Sequence, residues 1–130
     1  MADYAMTVEE HAGYLHATAT GDRTAANALR FLEEAYQACV AMGRDSLLIE
    51  VRFTGPSLSI GSIFSVISNR SIDGAALRRI AYVEPLLENR EAARFAELVA
   101  VNRGVNARLF PSVEAAGAWL SEELPDRRPH

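Results

Sequence analysis

The segment Ser46–Phe53 constrains the fold of this chain more than any other. Its run Leu47-Leu48-Ile49-Glu50-Val51-Arg52-Phe53 is apolar at successive positions for much of its length. A strand of that kind is covered on both faces and belongs in the middle of a sheet. The next residues, Thr54-Gly55-Pro56-Ser57-Leu58-Ser59, leave the sheet at its C-terminal edge. They feed a helical pattern marked by Ile60, Ile63, Phe64 and Ile67. In open α/β sheets, ligands and modifications act at that edge. The hydroxyl residues and glycines here suit close backbone approach or anion binding at a helix N-terminus.

The flanking segments set the architecture. Met6–Glu10 and Tyr14–Thr20 predict a hairpin turning at His11-Ala12-Gly13. The second of these alternates, with Leu15, Ala17 and Ala19 on one face and Tyr14, His16, Thr18 and Thr20 on the other. Ala25, Ala28, Leu29, Leu32, Ala35, Tyr36 and Cys39 recur at helical spacing, predicting a helix over Thr24–Met42 closed by Gly43. A short helix over Gly61–Arg70 and a loop at Ser71-Ile72-Asp73-Gly74 follow the buried strand. Arg79–Val83 reads as a strand closed by Pro85. Asn89 is placed to cap a helix with Ala92, Phe95, Ala96 and Val99 inward, ended by Gly104. Asn106–Phe110 is the last strand, and Ser112 caps a helix from Val113 to about Leu124. The predicted class is α/β: an N-terminal β-hairpin, then alternating βα units forming a mixed, mostly parallel five-stranded sheet with four helices. One domain covers residues 1–124, and 125–130 form a polar tail.

Charge narrows the partners. All thirteen basic residues are arginine and the net charge is −4, which argues against bulk nucleic-acid binding. No apolar stretch approaches the ~20 residues that span a bilayer. Met1-Ala2-Asp3-Tyr4 lacks the features of a signal peptide, so a cytoplasmic location without membrane partners is expected. The single cysteine, Cys39, excludes an internal disulfide and falls on an apolar helix face, as a small buried hydrophobe would.

Few residues suggest chemistry. His16 lies on the polar strand face with no carboxylate placed beside it by sequence, and reads as structural. His11 reads as a turn residue and His130 as tail. No His/Cys/Asp/Glu grouping shows metal-ligand spacing, so neither metal nor cofactor is expected. No nucleophile–base pair stands out, so no enzyme is expected. Glu84, Glu88, Arg90 and Glu91 cluster at the same sheet edge, where a solvated rim is the default and a binding role the alternative, and Arg78-Arg79 read as a surface pair at the opposite edge. Phe110 and Trp119 read as core, and a lipid-sized cavity is not expected in so short a chain. The Gly61–Arg70 helix is apolar beyond one stripe. Ile63, Val66 and Ile67 are therefore candidates for a partner or homodimer interface.

Several patterns resemble the STAS domain (sulfate transporter and anti-sigma factor antagonist), and within it the SpoIIAA-like branch, which shares a fold with CRAL-TRIO lipid-binding domains. The resemblance covers about Val8 to Glu123. It is carried by the element order, by Val101-Asn102-Arg103-Gly104, by Val105-Asn106-Ala107-Arg108-Leu109-Phe110, and by Glu114-Ala115 with Ala118-Trp119-Leu120. It implies a non-enzymatic regulatory or protein-interaction module. In antagonists of this family the strand-to-helix turn reads Asp-Ser-(Ser/Thr)-Gly, and its first serine is phosphorylated by a partner kinase. Ser59 matches that serine and Gly61 the glycine, whereas Leu58 stands at the aspartate and Ile60 at the second hydroxyl. The resemblance makes Ser59 a candidate phosphorylation site, beside the plainer role of helix cap. Ser57, Leu58, Ser59, Gly61 and Ser62 form the candidate ligand or partner edge. The alternative function is a small-ligand domain that takes an anion or an apolar molecule there.

Overall fold

A computed structural model describes residues 4–122. The tail expected at 125–130 lies outside the described residues. Strands β1 (Tyr4–His11), β2 (Tyr14–Asp22), β3 (Ser46–Thr54), β4 (Arg79–Val83) and β5 (Ala107–Phe110) lie in sequential order in one sheet. The β1–β2 pair is antiparallel and the others are parallel. Helices α1 (Ala25–Ala41), α2 (Ile60–Ala75), α3 (Arg90–Asn102) and α4 (Val113–Ser121) connect or follow the strands. The α/β class, the hairpin and the alternation are those expected from the sequence.

The strand β3 is central, and its first six residues are buried, Glu50 included. On one face, Leu47, Ile49, Val51 and Phe53 join Leu15, Ala17 and Ala19 under α1, α2 and α3. Each βα crossover advances one strand in the same direction, which stacks these three helices on one side. On the other face, Leu48, Ala81, Val83 and Phe110 pack under α4 against Ala116 and Leu120. This smaller layer leaves the β1–β2 part of that face to polar residues.

Two boundaries differ from expectation for physical reasons. Helix α2 continues through Ser71-Ile72-Asp73-Gly74, which were expected to loop. The Ser71 hydroxyl donates to the Ile67 carbonyl one turn back, so it bonds within the helix instead of breaking it. Gly74 serves packing: a Cβ there would stand 3.2 Å from the Tyr36 hydroxyl and 3.4 Å from Ile80 and Val105. Asn89, expected as a cap, makes no side-chain cap bond to α3 and sits at the end of a 3-10 turn, Leu87–Asn89. The caps Ser59 and Ser112 are as expected, accepting from the Ser62 and Ala115 amides, and of the two cap candidates Asp22 and Thr24 it is Thr24 that caps α1, accepting from the Asn27 amide. Gly43, at φ 70°, takes the left-handed turn that closes α1.

Arg79 is not a surface residue. It is 3% exposed, its guanidinium lies 5.1 Å from the Trp119 ring centroid, and it donates to the Trp119 carbonyl. A planar cation stacked on an indole locks α4 onto β4.

Cys39 is buried and donates to the Arg44 and Ser46 carbonyls. Burial pushes its thiol up from 9.0 to about 11. Burial likewise raises Tyr36 and Tyr82 above the usual 10.0, with Asp73 and Glu84 respectively adding to the rise. The folded state therefore holds these protons where the unfolded chain has released them, so stability falls as pH rises from about 9 toward 11. Urea midpoints are expected to drop across that window, and Cys39→Ala to lessen the drop.

Candidate functional site

The C-terminal ends of β2, β3 and β4 converge on one edge. The strand order never reverses, so no crevice opens between diverging crossovers as in doubly wound sheets. What the edge offers lies instead between the sheet and its helix layer.

The residues after β3 divide their work. Gly55, at φ 104°, makes the left-handed turn out of the sheet. Ser57 donates to the Asn89 Oδ1 at 2.5 Å, tying this turn to the start of α3. Leu58 is half-buried. Ser59 is exposed, and its Oγ accepts from the Ser62 amide at 3.1 Å while its hydroxyl donates to Ser62 Oγ at 3.0 Å. Gly61 is exposed, and a Cβ on it would meet nothing within 4 Å. No close approach therefore requires glycine there. Ser59→Ala is expected to cost about 1 kcal/mol through loss of the cap, whereas Ser59→Asp keeps an acceptor at the helix N-terminus and stays near wild type. Thermal denaturation of both variants checks this.

Behind the turn sits a buried ion pair. Glu84, at the end of β4, is 1% exposed, so it is no part of a solvated rim. Its Oε2 lies 3.5 Å from Arg23 Nη1, and that side chain, at the end of β2, is 8% exposed. Glu84 Oε1 accepts from the Leu86 amide at 3.2 Å and from Asn89 Nδ2 at 3.5 Å. Arg23 also donates from Nη2 to the Phe53 carbonyl at 2.9 Å, while its buried Nε has no partner. Asn89 thus accepts from Ser57 and donates to Glu84, which is why it does not cap α3.

This polar group closes one end of a cavity of about 110 Å3. Its walls are apolar, with Phe31 and Leu32 of α1, Ile49 and Phe53 of β3, and Val66 of α2 among them. The fourth side is α3, which turns Ala92, Ala93, Ala96 and Ala100 toward the same space. Small side chains on a helix that packs over a sheet leave room that larger ones would fill. Tyr36 and Tyr82 also line it, as does Leu58 from the turn. Outside, a shallow cleft is formed by Thr54, Gly55, Pro56, Leu86 and Glu88. Ser57 and Asn89 line both spaces, so their hydrogen bond stands between the cleft and the cavity.

Ser57 and Leu58 are singled out by the sequence, Glu84 only as one of a rim cluster and Asn89 only as a cap, whereas Arg23 and the alanines are not singled out as site residues. The signal was present: alanine at 92, 93, 96 and 100 sets a helical stripe with too little volume for the layer it covers.

The helix α2 exposes a different set from the one expected. Ile63 and Val66 are buried, and Ile67 is half-buried, because α2 is covered by α1 on one side and α3 on the other. Ile63 and Val66 therefore present no exposed interface. The exposed apolar residues of α2 are Ile60, Phe64 and Ile72, with Arg103 lying 5.3 Å from the Phe64 ring centroid.

On the opposite face, His16 does have a carboxylate beside it. Its Nε2 is 2.9 Å from Glu50 Oε1 of β3, although 34 residues separate them in the chain. Parallel pairing of β2 with β3 makes this contact, so no spacing in the sequence announces it.

A scan of protein-family models and a search of curated proteins give no match for this chain.

Proposed function

We propose that this chain is a non-enzymatic regulatory module that binds a small, mainly apolar molecule with one polar end at the C-terminal edge of its sheet. The observation that carries the proposal is the apolar cavity ending at Arg23, Glu84, Ser57 and Asn89. Sites for small organic ligands combine apolar walls with a few convergent polar groups in this way. The volume sets the ligand class. A cavity of about 150 Å3 accepts benzene, so about 110 Å3 sets an upper limit near one small ring or a short chain, and a full lipid tail is too long. The polar end has two classes of group to meet: donors on Arg23 and acceptors on Glu84. The Ser57 hydroxyl donates to an amide oxygen, which is no base, and this favours binding over nucleophilic catalysis.

The STAS-like resemblance supports the regulatory half of the reading. Leu58 lines the cavity, and the next residue, Ser59, caps α2, whose exposed Ile60, Phe64 and Ile72 offer a surface for a protein partner or a second copy. Occupancy of the cavity bears directly on the turn that carries Ser59.

The test is native mass spectrometry of the tag-free chain, beside Ala96→Leu, which puts three more carbons into the cavity. The expected result is a retained small molecule on the wild type, absent from the folded variant. A bare polypeptide mass for the wild type under the gentlest conditions counts against retention. A serine modification in the same spectrum, together with altered partner binding by Ser59→Asp, favours the phospho-switch.

A further inference from the structure

A second cluster of functional groups lies on the other face of the sheet, far from the cavity in chemistry and independent of the reading above. In β1 and β2, Glu9 pairs directly with His16, and His11 pairs with Tyr14. Antiparallel partners project to the same side, so Glu9, His11 and His16 share the part of that face which α4 leaves open. One ligand atom from each of the three lies within 4.8 Å of the others.

We infer that Glu9, His11 and His16 form a binding site for a divalent metal ion of the zinc class. Two imidazoles and one carboxylate suit Zn2+, which takes nitrogen and oxygen ligands at about 2.0–2.2 Å. Ligands at that radius in a tetrahedron stand about 3.3 Å apart. The His11 Nε2–Glu9 Oε1 separation, at 3.6 Å, is already close to that edge. Small side-chain rotations on fixed strands bring in the third ligand. A fourth position stays open to water.

Two features show support behind the ligands. His16 is 12% exposed, and its Nε2 is hydrogen-bonded to Glu50, which is itself 6% exposed and paired with Arg52. In the tautomer that donates from Nε2 to this carboxylate, Nδ1 carries the free lone pair. Metal-binding histidines characteristically have this arrangement, a carboxylate fixing the tautomer and raising ligand basicity. His11 is stacked on Tyr14, with ring centroids 4.8 Å apart and planes 9° from parallel. Tyr14 in turn lies against Gly117 of α4, where a Cβ would stand 2.9 Å from its hydroxyl. The His11 ring is thus held in place, yet its Nε2 is buried with no hydrogen-bond partner. A buried ring nitrogen of that kind lacks what a metal ion supplies.

Isothermal titration of the tag-free full chain with Zn2+, and separately with Mg2+, tests the site. One Zn2+ per chain is expected, with no saturable Mg2+ binding. His11→Ala and His16→Ala are each expected to weaken Zn2+ binding at least about tenfold, and Glu50→Gln about tenfold or more by freeing His16. Because His16 is partly buried, Glu9→Ala at a well-exposed position provides the variant that cannot fail by misfolding. Binding unchanged in His11→Ala and Glu9→Ala, or abolished instead by His130→Ala, overturns the inference, as does the absence of saturable Zn2+ binding.

Discussion

Glu84→Ala is expected to destabilise the folded chain by about 3–5 kcal/mol, because it leaves the Arg23 guanidinium buried without its counter-ion. Both side chains are more than nine-tenths buried, so water cannot substitute for the lost partner. The Leu86 amide and Asn89 Nδ2 lose their acceptor in the same step. Glu84→Gln keeps an acceptor and is expected to cost less. Replacing the pair together, with Arg23→Met and Glu84→Leu, is expected to recover most of the stability, since well-packed apolar residues often match a buried ion pair. Urea denaturation of the four proteins gives these values. The double variant also asks why the chain holds charges where apolar groups would serve stability equally well. On the present account they are there to meet the polar end of a ligand, so the double variant folds but loses binding.

Phe31→Ala is the second large effect, also about 3–5 kcal/mol. Phe31 is 1% exposed and meets the Phe53 ring edge-on, with centroids 6.2 Å apart. It forms part of the cavity wall, so removing its ring joins the vacated volume to the existing space. This variant is expected to regain part of its stability when a ring-sized apolar molecule is added, since a ligand that binds only the folded state stabilises it by mass action. A truncation elsewhere in the core, such as Leu120→Ala on the inner face of α4, loses stability without that rescue.

The architecture was legible because hydrophobic periodicity reports local structure and its burial. The continuous run in β3, the alternation in β2 and the caps Ser59 and Ser112 each signalled their element directly. The helix α2 was cut short because Ser71 and Gly74 resemble a turn in sequence. Only the packed partners, Tyr36, Ile80 and Val105, explain that glycine. The candidate sites were less legible, because they depend on contacts made across the sheet. Glu84 looks like one of several rim acids until β2 and β4, on either side of β3, bring Arg23, 61 residues earlier by their numbers, to the same sheet edge. Glu9, His11 and His16 show no ligand spacing along the chain, and only the hairpin register gathers them. Ser59 is the converse case. Its role as cap is local and was readable, whereas a modification there depends on a partner surface that no local pattern encodes.

The cavity between the sheet and α3 is the proposed ligand site. The most direct measurement is methyl NMR of the chain titrated with ring-sized and short-chain probes: p-cresol, benzoate and hexanoate. Saturable shifts and intermolecular NOEs are expected from at least one probe to the methyls of Ile49, Ala96 and Ala100, all abolished by Ala96→Leu. Silence at those methyls with all the probes, or NOEs only to the exposed Ile60 and Ile72 of α2, contradicts it.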